Sequence, residues 1–269
     1  MKVQIMKRSI PAFFVLFLVL LSGTAFGGAS TEFGLDYFYF DYREDLVRPH
    51  KSSDYGWLPG IYGSVEYRGE SRLYARLYGS CAGGEITYDG STQGGTPLYF
   101  TDERERLYLV EGNLGWIAFS DGRSSVVPYL GYGYFYWERG RARRIGNVQD
   151  YQEDYRWSYI PVGIRVDYRL NEQWGIGMNA AAHIMFGGKL TAYFAEANLG
   201  NDLTFDLGNR TGYLFEVPVS WRVMPGWSLV GTPWYKYSEI GESNVVGGFY
   251  EPSSRTHQYG VKLGLSYSF

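Results

Sequence analysis

The sequence predicts an all-β chain folded as a transmembrane, antiparallel up-and-down β-barrel of ten strands, rather than eight or twelve. Three observations predict it. Ten segments after residue 31 alternate apolar with small or polar residues, the period of a strand. The connections between them are short and long by turns, and aromatic residues gather where strands meet connections. Aromatics make up 19% of the chain, with 26 Tyr and 36 Gly, a composition that favours strands and tight turns over helices.

The first 27 residues follow another pattern. Lys2, Lys7 and Arg8 form a basic leader, Ile10 to Leu21 an apolar run, and Ala25-Phe26-Gly27 a cleavage site before Gly28. This layout predicts a secretory signal peptide over residues 1–27 and a single barrel domain over 28–269. The run is too short for a membrane-spanning helix, which needs roughly 20 apolar residues. No Cys follows it, so a lipid anchor of the bacterial lipoprotein kind is not expected.

The alternating segments lie at about 32–43, 57–68, 71–80, 104–119, 126–138, 155–169, 173–186, 203–222, 227–239 and 256–269. The first, EFGLDYFYFDYRE, is aromatic on both faces, which leaves its orientation open. Gly69-Glu70 joins the second to the third, and residues 121–125 join the fourth to the fifth. The sixth carries a row without charge, Ile160, Val162, Ile164, Val166 and Tyr168. After Asn171-Glu172 the seventh carries another, from Ile176 through Met178, Ala180, Ala182 and Ile184 to Phe186. The eighth has Tyr213, Phe215, Val217, Val219 and Trp221, and Met224-Pro225-Gly226 turns it into the ninth. The tenth ends the chain with Tyr259, Val261, Leu263, Leu265, Tyr267 and Phe269. Each row covers roughly the nine to eleven residues a tilted strand needs to cross hydrocarbon. The other connections (44–56, 81–103, 139–154, 187–202 and 240–255) read as long polar loops on the opposite side.

A soluble barrel would show the same alternation with its apolar row inside. Aromatic girdles argue for lipid instead. Trp57, Trp137 and Trp157, with Tyr74, Tyr78, Tyr235 and Tyr237, are placed toward the long loops, and Trp174, Trp221 and Trp227 toward the short turns. Charges inside the strands argue the same way, because an Arg or Lys facing lipid at mid-membrane costs roughly 2–4 kcal/mol. Asp36, Arg76, Glu111, Arg165, Glu216 and Lys262 are therefore assigned to the lumen, joined by Arg72, Arg222, Lys236, Glu66 and Asp167 in the same rows. Ten strands enclose a narrow space. The expected arrangement is a lumen largely closed by ion pairs, Arg76 with Glu111 and Asp36 with Lys262; the alternative is a watery pore with solvated charges.

The ending, from Lys262 to Phe269, reads polar, any, Gly, any, any, aromatic, any, aromatic. On these eight residues the chain resembles bacterial outer-membrane β-barrel proteins, whose final strand carries this pattern as an assembly signal. The resemblance implies that Lys262, Gly264, Tyr267 and Phe269 address the outer-membrane assembly machinery. It also implies residence in the outer membrane of a Gram-negative bacterium, among its lipid and lipopolysaccharide.

Charge and motifs bound the function. Without residues 1–27 the 25 Lys+Arg fall by three against 28 Asp+Glu, a net of about −6 that disfavours nucleic acid. Cys81 is the single cysteine and forms no internal disulfide. Ten strands at this length also resemble the omptin proteases, but their Asp-x-Asp and Asp-x-His pairs are absent: none of His50, His183 and His257 has an Asp two residues before it. His50-Lys51-Ser52 resembles the His-x-Ser of lipid A deacylases, yet falls in a loop. His183, mid-strand, is expected to be hydrogen-bonded in the lumen. The acidic run from Asp102 and the basic run from Arg139 to Arg144 are placed on external loops, the second facing solvent or lipopolysaccharide phosphates. No metal, cofactor or nucleophile motif stands out. The expected role is a structural or surface-interaction protein, not an enzyme; a small-solute channel is the alternative, then a rim-site hydrolase of protein or lipid A.

Overall fold

The computed structural model describes residues 28–47, 50–92 and 94–269, so the expected signal peptide lies outside the described residues. Ten strands follow in order: β1 Ala29–Glu44, β2 Ser53–Arg68, β3 Leu73–Ser91, β4 Pro97–Trp116, β5 Ser124–Ile145, β6 Val148–Arg169 and β7 Trp174–Ala192. β8 comes in three pieces, Leu203–Asp206, Thr211–Glu216 and Val219–Met224, and β9 Trp227–Ile240 and β10 Ser254–Ser268 complete the ring. Each strand pairs antiparallel with the next. β10 then pairs with β1, from Ser268 opposite Ser30 to Ser254 opposite Glu44, so the sheet closes on itself. Pro218 explains one break in β8: it has no N–H to give, and its carbonyl accepts from Gly177 N instead.

The faces are assigned by exposure. Leu35, Leu114, Leu130 and Leu263 are each more than 60% exposed, while Asp36, between Leu35 and Tyr37, is 7% exposed. An apolar exterior and a charged interior invert the soluble barrel and match a lipid surround. The ambiguity of β1 disappears: Phe33, Leu35 and Tyr37 face out, and Asp36, Phe38, Phe40 and Tyr42 face in.

Two expectations are corrected. The loops expected at 81–103 and 139–154 are mostly strand: β3 and β4 turn at 92–96, and β5 and β6 at 146–147. Beyond the lipid both faces of a strand can be polar, so the apolar alternation that marks a strand fades there. The second correction concerns the girdle. Trp57, Trp174 and Trp221 lie on the outer surface, Trp174 stacked on Trp221 at 5.9 Å, and Trp227 packs on Tyr267 at 4.8 Å. Trp137 and Trp157, however, are 1% and 8% exposed and point into the barrel, as do Tyr74 and Tyr78. Both faces of β5 and β6 are aromatic, so ring content alone did not reveal the side; Tyr132 and Tyr134 hold the outer positions instead.

Val162 sits in the middle of the lipid-facing row of β6. Val162→Arg should destabilise the barrel in lipid vesicles by roughly 2–4 kcal/mol, read from urea unfolding followed by tryptophan fluorescence.

Candidate functional site

The lumen is built in layers. At the short-turn end a vestibule of about 400 Å³ opens, its wall including Ser30, Ser64 and Ser266. Four charges brace it: Arg68 reaches Glu66 at 2.7 Å and Asp167 at 2.6 Å, and Arg165 reaches the same two carboxylates at 3.1 Å each. Arg68 escaped the sequence reading because it stands beside the turn, although it shares the inward parity of Glu66. Arg72, expected inside, lies exposed in the turn with a φ of +65°.

The middle layer holds the remaining charges, with partners other than those expected. Asp36 is opposite Lys262 across the closing seam. The Lys262 ammonium nevertheless reaches past β9 to Glu216 at 2.7 Å, and Asp36 accepts from Trp234 Nε1 at 2.9 Å. Glu216 also accepts from Asn179 at 2.7 Å. Glu111 accepts from the Tyr159 hydroxyl at 2.7 Å and from Asn113 at 2.8 Å, not from Arg76. The Arg76 guanidinium lies 5.0 Å over the Tyr78 ring instead. Cross-strand opposition fixed the Cα neighbours; long side chains on an inner wall select acceptors across the lumen. His183 is in the lumen as expected, stacked on Tyr159 at 4.5 Å, but its Nε2 has no hydrogen-bond partner. These groups surround a chamber of about 70 Å³.

Above the chamber the lumen is filled by rings. Phe40, Leu58, Trp137, Tyr155, Trp157 and Trp234 belong to one buried cluster. Trp137 stacks on Tyr155 at 4.5 Å, Phe135 lies tilted against Trp157 at the same distance, and Phe40 meets Trp137 in an edge-on pair at 5.5 Å. Gly133 makes room for this layer, because a Cβ there would lie 2.1 Å from the Tyr159 ring.

Beyond the apolar band, on the loop side, Arg139 gathers acids. It holds Asp54 at 2.7 Å, Glu153 at 2.9 Å and Glu44 at 3.2 Å. Glu251 in the last loop accepts from the Tyr155 and Tyr42 hydroxyls at 2.8 and 3.1 Å, and Glu105 accepts from Trp137 Nε1. Burial pushes Glu251 well above the ordinary carboxylate range, with Glu44 and Glu153 adding repulsion. Glu103 is pushed up to about 8 by burial first, then by Asp150 and Asp54. A mouth cavity of about 530 Å³ lies above, bounded by Glu44, Tyr88, Phe100, Glu153 and Glu251 among others. The two charge runs assigned to separate loops neutralise each other: Arg143 pairs with Asp102 at 2.5 Å, Asp150 at 3.0 Å and Glu103 at 3.1 Å, and Arg141 with Asp102 at 3.2 Å. Sequence reading missed the acids around Arg139, yet Glu103 and Glu105 continue the inward row of Leu107. Among the described residues no three His, Cys, Asp or Glu side chains converge to hold a metal ion.

The terminal motif divides between the faces. Lys262 and Gly264 face in, where a Cβ on Gly264 would lie 2.2 Å from the Tyr62 hydroxyl. Tyr267 and Phe269 pack against each other at 4.9 Å beside Trp227, and Phe269 N bonds to Ala29 O at 3.0 Å.

Ten closed antiparallel strands, an apolar exterior and a charged, ring-filled interior define the class: the chain has the fold of a bacterial outer-membrane β-barrel. In particular it is similar to the outer membrane protease OmpT from Escherichia coli, with a TM-score of 0.61 over 92% of this chain and 99% of that one, at 10% identity. The translocator domain of the autotransporter NalP from Neisseria meningitidis matches at a TM-score of 0.41 and 8% identity, over 96% of this chain and 95% of that one. The toluene transporter TodX of Pseudomonas putida matches at 0.34 and 9%, over 91% and 90%. Likeness at these identities establishes the fold alone. No protein-family model matches the chain, and no curated protein matches it in sequence.

Lys262→Met strands the Glu216 carboxylate in the lumen and should cost roughly 3–5 kcal/mol of unfolding free energy. Adding Glu216→Gln should recover most of that loss, a contrast that denaturant titration of both variants measures. For Glu103 the folded chain keeps a proton that the unfolded chain, at its ordinary value of 4.5, gives up. The stability this contributes is therefore full below about pH 4.5 and lost as pH rises toward about 8. The urea midpoint should fall between pH 5 and pH 8.5, and fall less in Glu103→Gln.

Proposed function

We propose that this chain is a non-conducting outer-membrane barrel that acts as a structural or surface-interaction protein, without catalysis. The observation that carries the reading is the ring layer of Phe40, Trp137, Tyr155 and Trp157, which fills the lumen between the inner chamber and the mouth. Broad aqueous channels belong to wider barrels of 16 to 18 strands, where side chains do not meet across the interior. The braced charges of the vestibule support the same reading, since Arg68–Asp167 and Arg165–Glu66 tie the facing strands β2 and β6 together rather than lining an open path.

The outer surface suggests the partner. On the loop side, Arg156 stands opposite Lys189 and Tyr136, one residue pair below Arg106, at the edge of the tyrosine belt. Planar guanidinium groups at headgroup height suit the phosphates of lipopolysaccharide. Tyr267 and Phe269 are the aromatic residues of the terminal motif and the ones we assign to recognition by the assembly machinery. The Escherichia coli neighbour is named as a protease. That activity is not carried over, because none of the three histidines follows an Asp by two residues.

In planar lipid bilayers the purified barrel should give no unit conductance steps. Phe40→Ala/Trp137→Ala/Tyr155→Ala should give steady steps, because it removes the rings that fill the lumen. Steps from the unaltered protein would rule the reading out.

A further inference from the structure

The chamber between the vestibule and the ring layer has an unbalanced set of polar groups. Asp36, Arg76, Glu111, His183, Lys236 and Lys262 all contribute to its wall, together with Glu216. Its carboxylates are already occupied: Glu216 by Lys262 and Asn179, Asp36 by Trp234, Glu111 by Asn113 and Tyr159. Two cations are not. Among the described residues no carboxylate oxygen comes within 4.0 Å of the nitrogens of Lys236 or Arg76. Lys236 is only 7% exposed, and its ammonium rests 4.6 Å over the Phe135 ring. Arg76 has the Tyr78 face. A ring face compensates a buried cation by less than its desolvation costs. His183, also 7% exposed, presents to the same chamber an Nε2 without a hydrogen-bond partner, 3.8 Å from the Glu111 carboxylate.

We infer that the chamber is a binding site for a small oxyanion, held by Lys236, Arg76 and His183 and admitted from the short-turn vestibule past Arg76. Three carboxylates and three basic side chains line the wall, so what it lacks is free acceptors rather than net negative charge: each carboxylate already accepts from other groups, and none reaches Lys236 or Arg76. An oxyanion of the phosphate or simple carboxylate class supplies several acceptor oxygens at once. At about 70 Å³ the chamber exceeds the roughly 10–15 Å³ that a single water requires, so a small anion has room. The route follows from Arg76, which borders both the chamber and the vestibule. Toward the loops the rings shut the way, so the site is a pocket with one entrance, consistent with a barrel that does not conduct.

The test uses the full barrel folded in detergent micelles. Calorimetric titration with inorganic phosphate should show one saturable site, and acetate run in parallel distinguishes phosphate from carboxylate as the preferred form. Lys236→Met should weaken binding at least tenfold, while Arg144→Ala on the exposed hairpin should leave it unchanged. Crystals of the unaltered protein soaked in selenate should show an anomalous peak inside the chamber, a result that does not depend on any variant folding. A chamber holding water alone in that map overturns the inference. So does an affinity for phosphate that Lys236→Met, shown to be folded, leaves the same.

Discussion

Closure of the sheet is the constraint from which the rest follows. In hydrocarbon no water is available to a backbone N–H or C=O, and each unsatisfied group costs several kcal/mol. A sheet meets that demand only when its last strand pairs with its first, as β10 does with β1 from Ser268 to Ser254. Closure also dictates the sequence pattern. Side chains alternate between two surroundings that differ in every respect, lipid outside and a crowded interior inside, so a one-residue slip of β10 against β1 would turn Lys262 into lipid and Leu263 into the lumen. The register of the seam is thus held by charge on one face and by Leu35 and Leu263 on the other.

A ring of ten strands leaves too little room for water to screen what points inward. Charges in such a space need partners, and the partners are chosen by reach rather than by adjacency. Lys262 passes its direct neighbour Asp36 and binds Glu216 beyond β9, and the freed Asp36 takes the indole N–H of Trp234. Aromatic residues do the remaining filling. Their rigid, flat side chains stack across a narrow lumen at low entropic cost, and their polar tips reach carboxylates: Tyr159 to Glu111, Tyr155 to Glu251, Trp137 to Glu105. Plug and ion-pair network are consequently one fabric, not two devices.

What the sequence made legible follows from where the environment is strongly two-sided. The strand count, the even topology and the lipid-facing rows of β6, β7 and β10 could be read directly, because lipid admits no charge on those faces. The placement of Arg165, Glu216 and Lys262 inside was legible for the same reason. Trp137 and Trp157 were misplaced because a ring satisfies the lumen and the membrane edge equally well, so residue type carried no sign of face. The hairpins built from 81–103 and 139–154 were hidden because both their faces carry polar residues, the inner ones buried around Arg139, and residues such as Gly83-Gly84 and Arg139 to Arg144 break the alternation without breaking the strand. Ion-pair partners were beyond reach altogether, since they depend on distances across a lumen rather than along a chain.

The same two-sidedness explains why the loop-side half differs from the membrane half. Within the band Lys262 pairs with Glu216, Asp36 and Glu111 accept from neutral donors, and Lys236 and Arg76 face a chamber with room for an anion. Above the band the accounting runs the other way: Asp54, Glu105, Glu153 and Glu251 are buried with Glu44 around a single guanidinium, Arg139. Carboxylates have a remedy that an arginine lacks, because they can keep a proton at ordinary pH when burial and crowding raise their affinity for it. An acid cluster can therefore be closed by protons alone and serve as a structural knot tying β1, β2, β5, β6 and the last loop together. Arg76 at mid-lumen has no comparable escape, because its guanidinium does not release its proton. The asymmetry between a group that can shed its charge and one that cannot is why the acid-rich mouth can settle its charge with protons, whereas Arg76 leaves the chamber as the part of this barrel that calls for a partner.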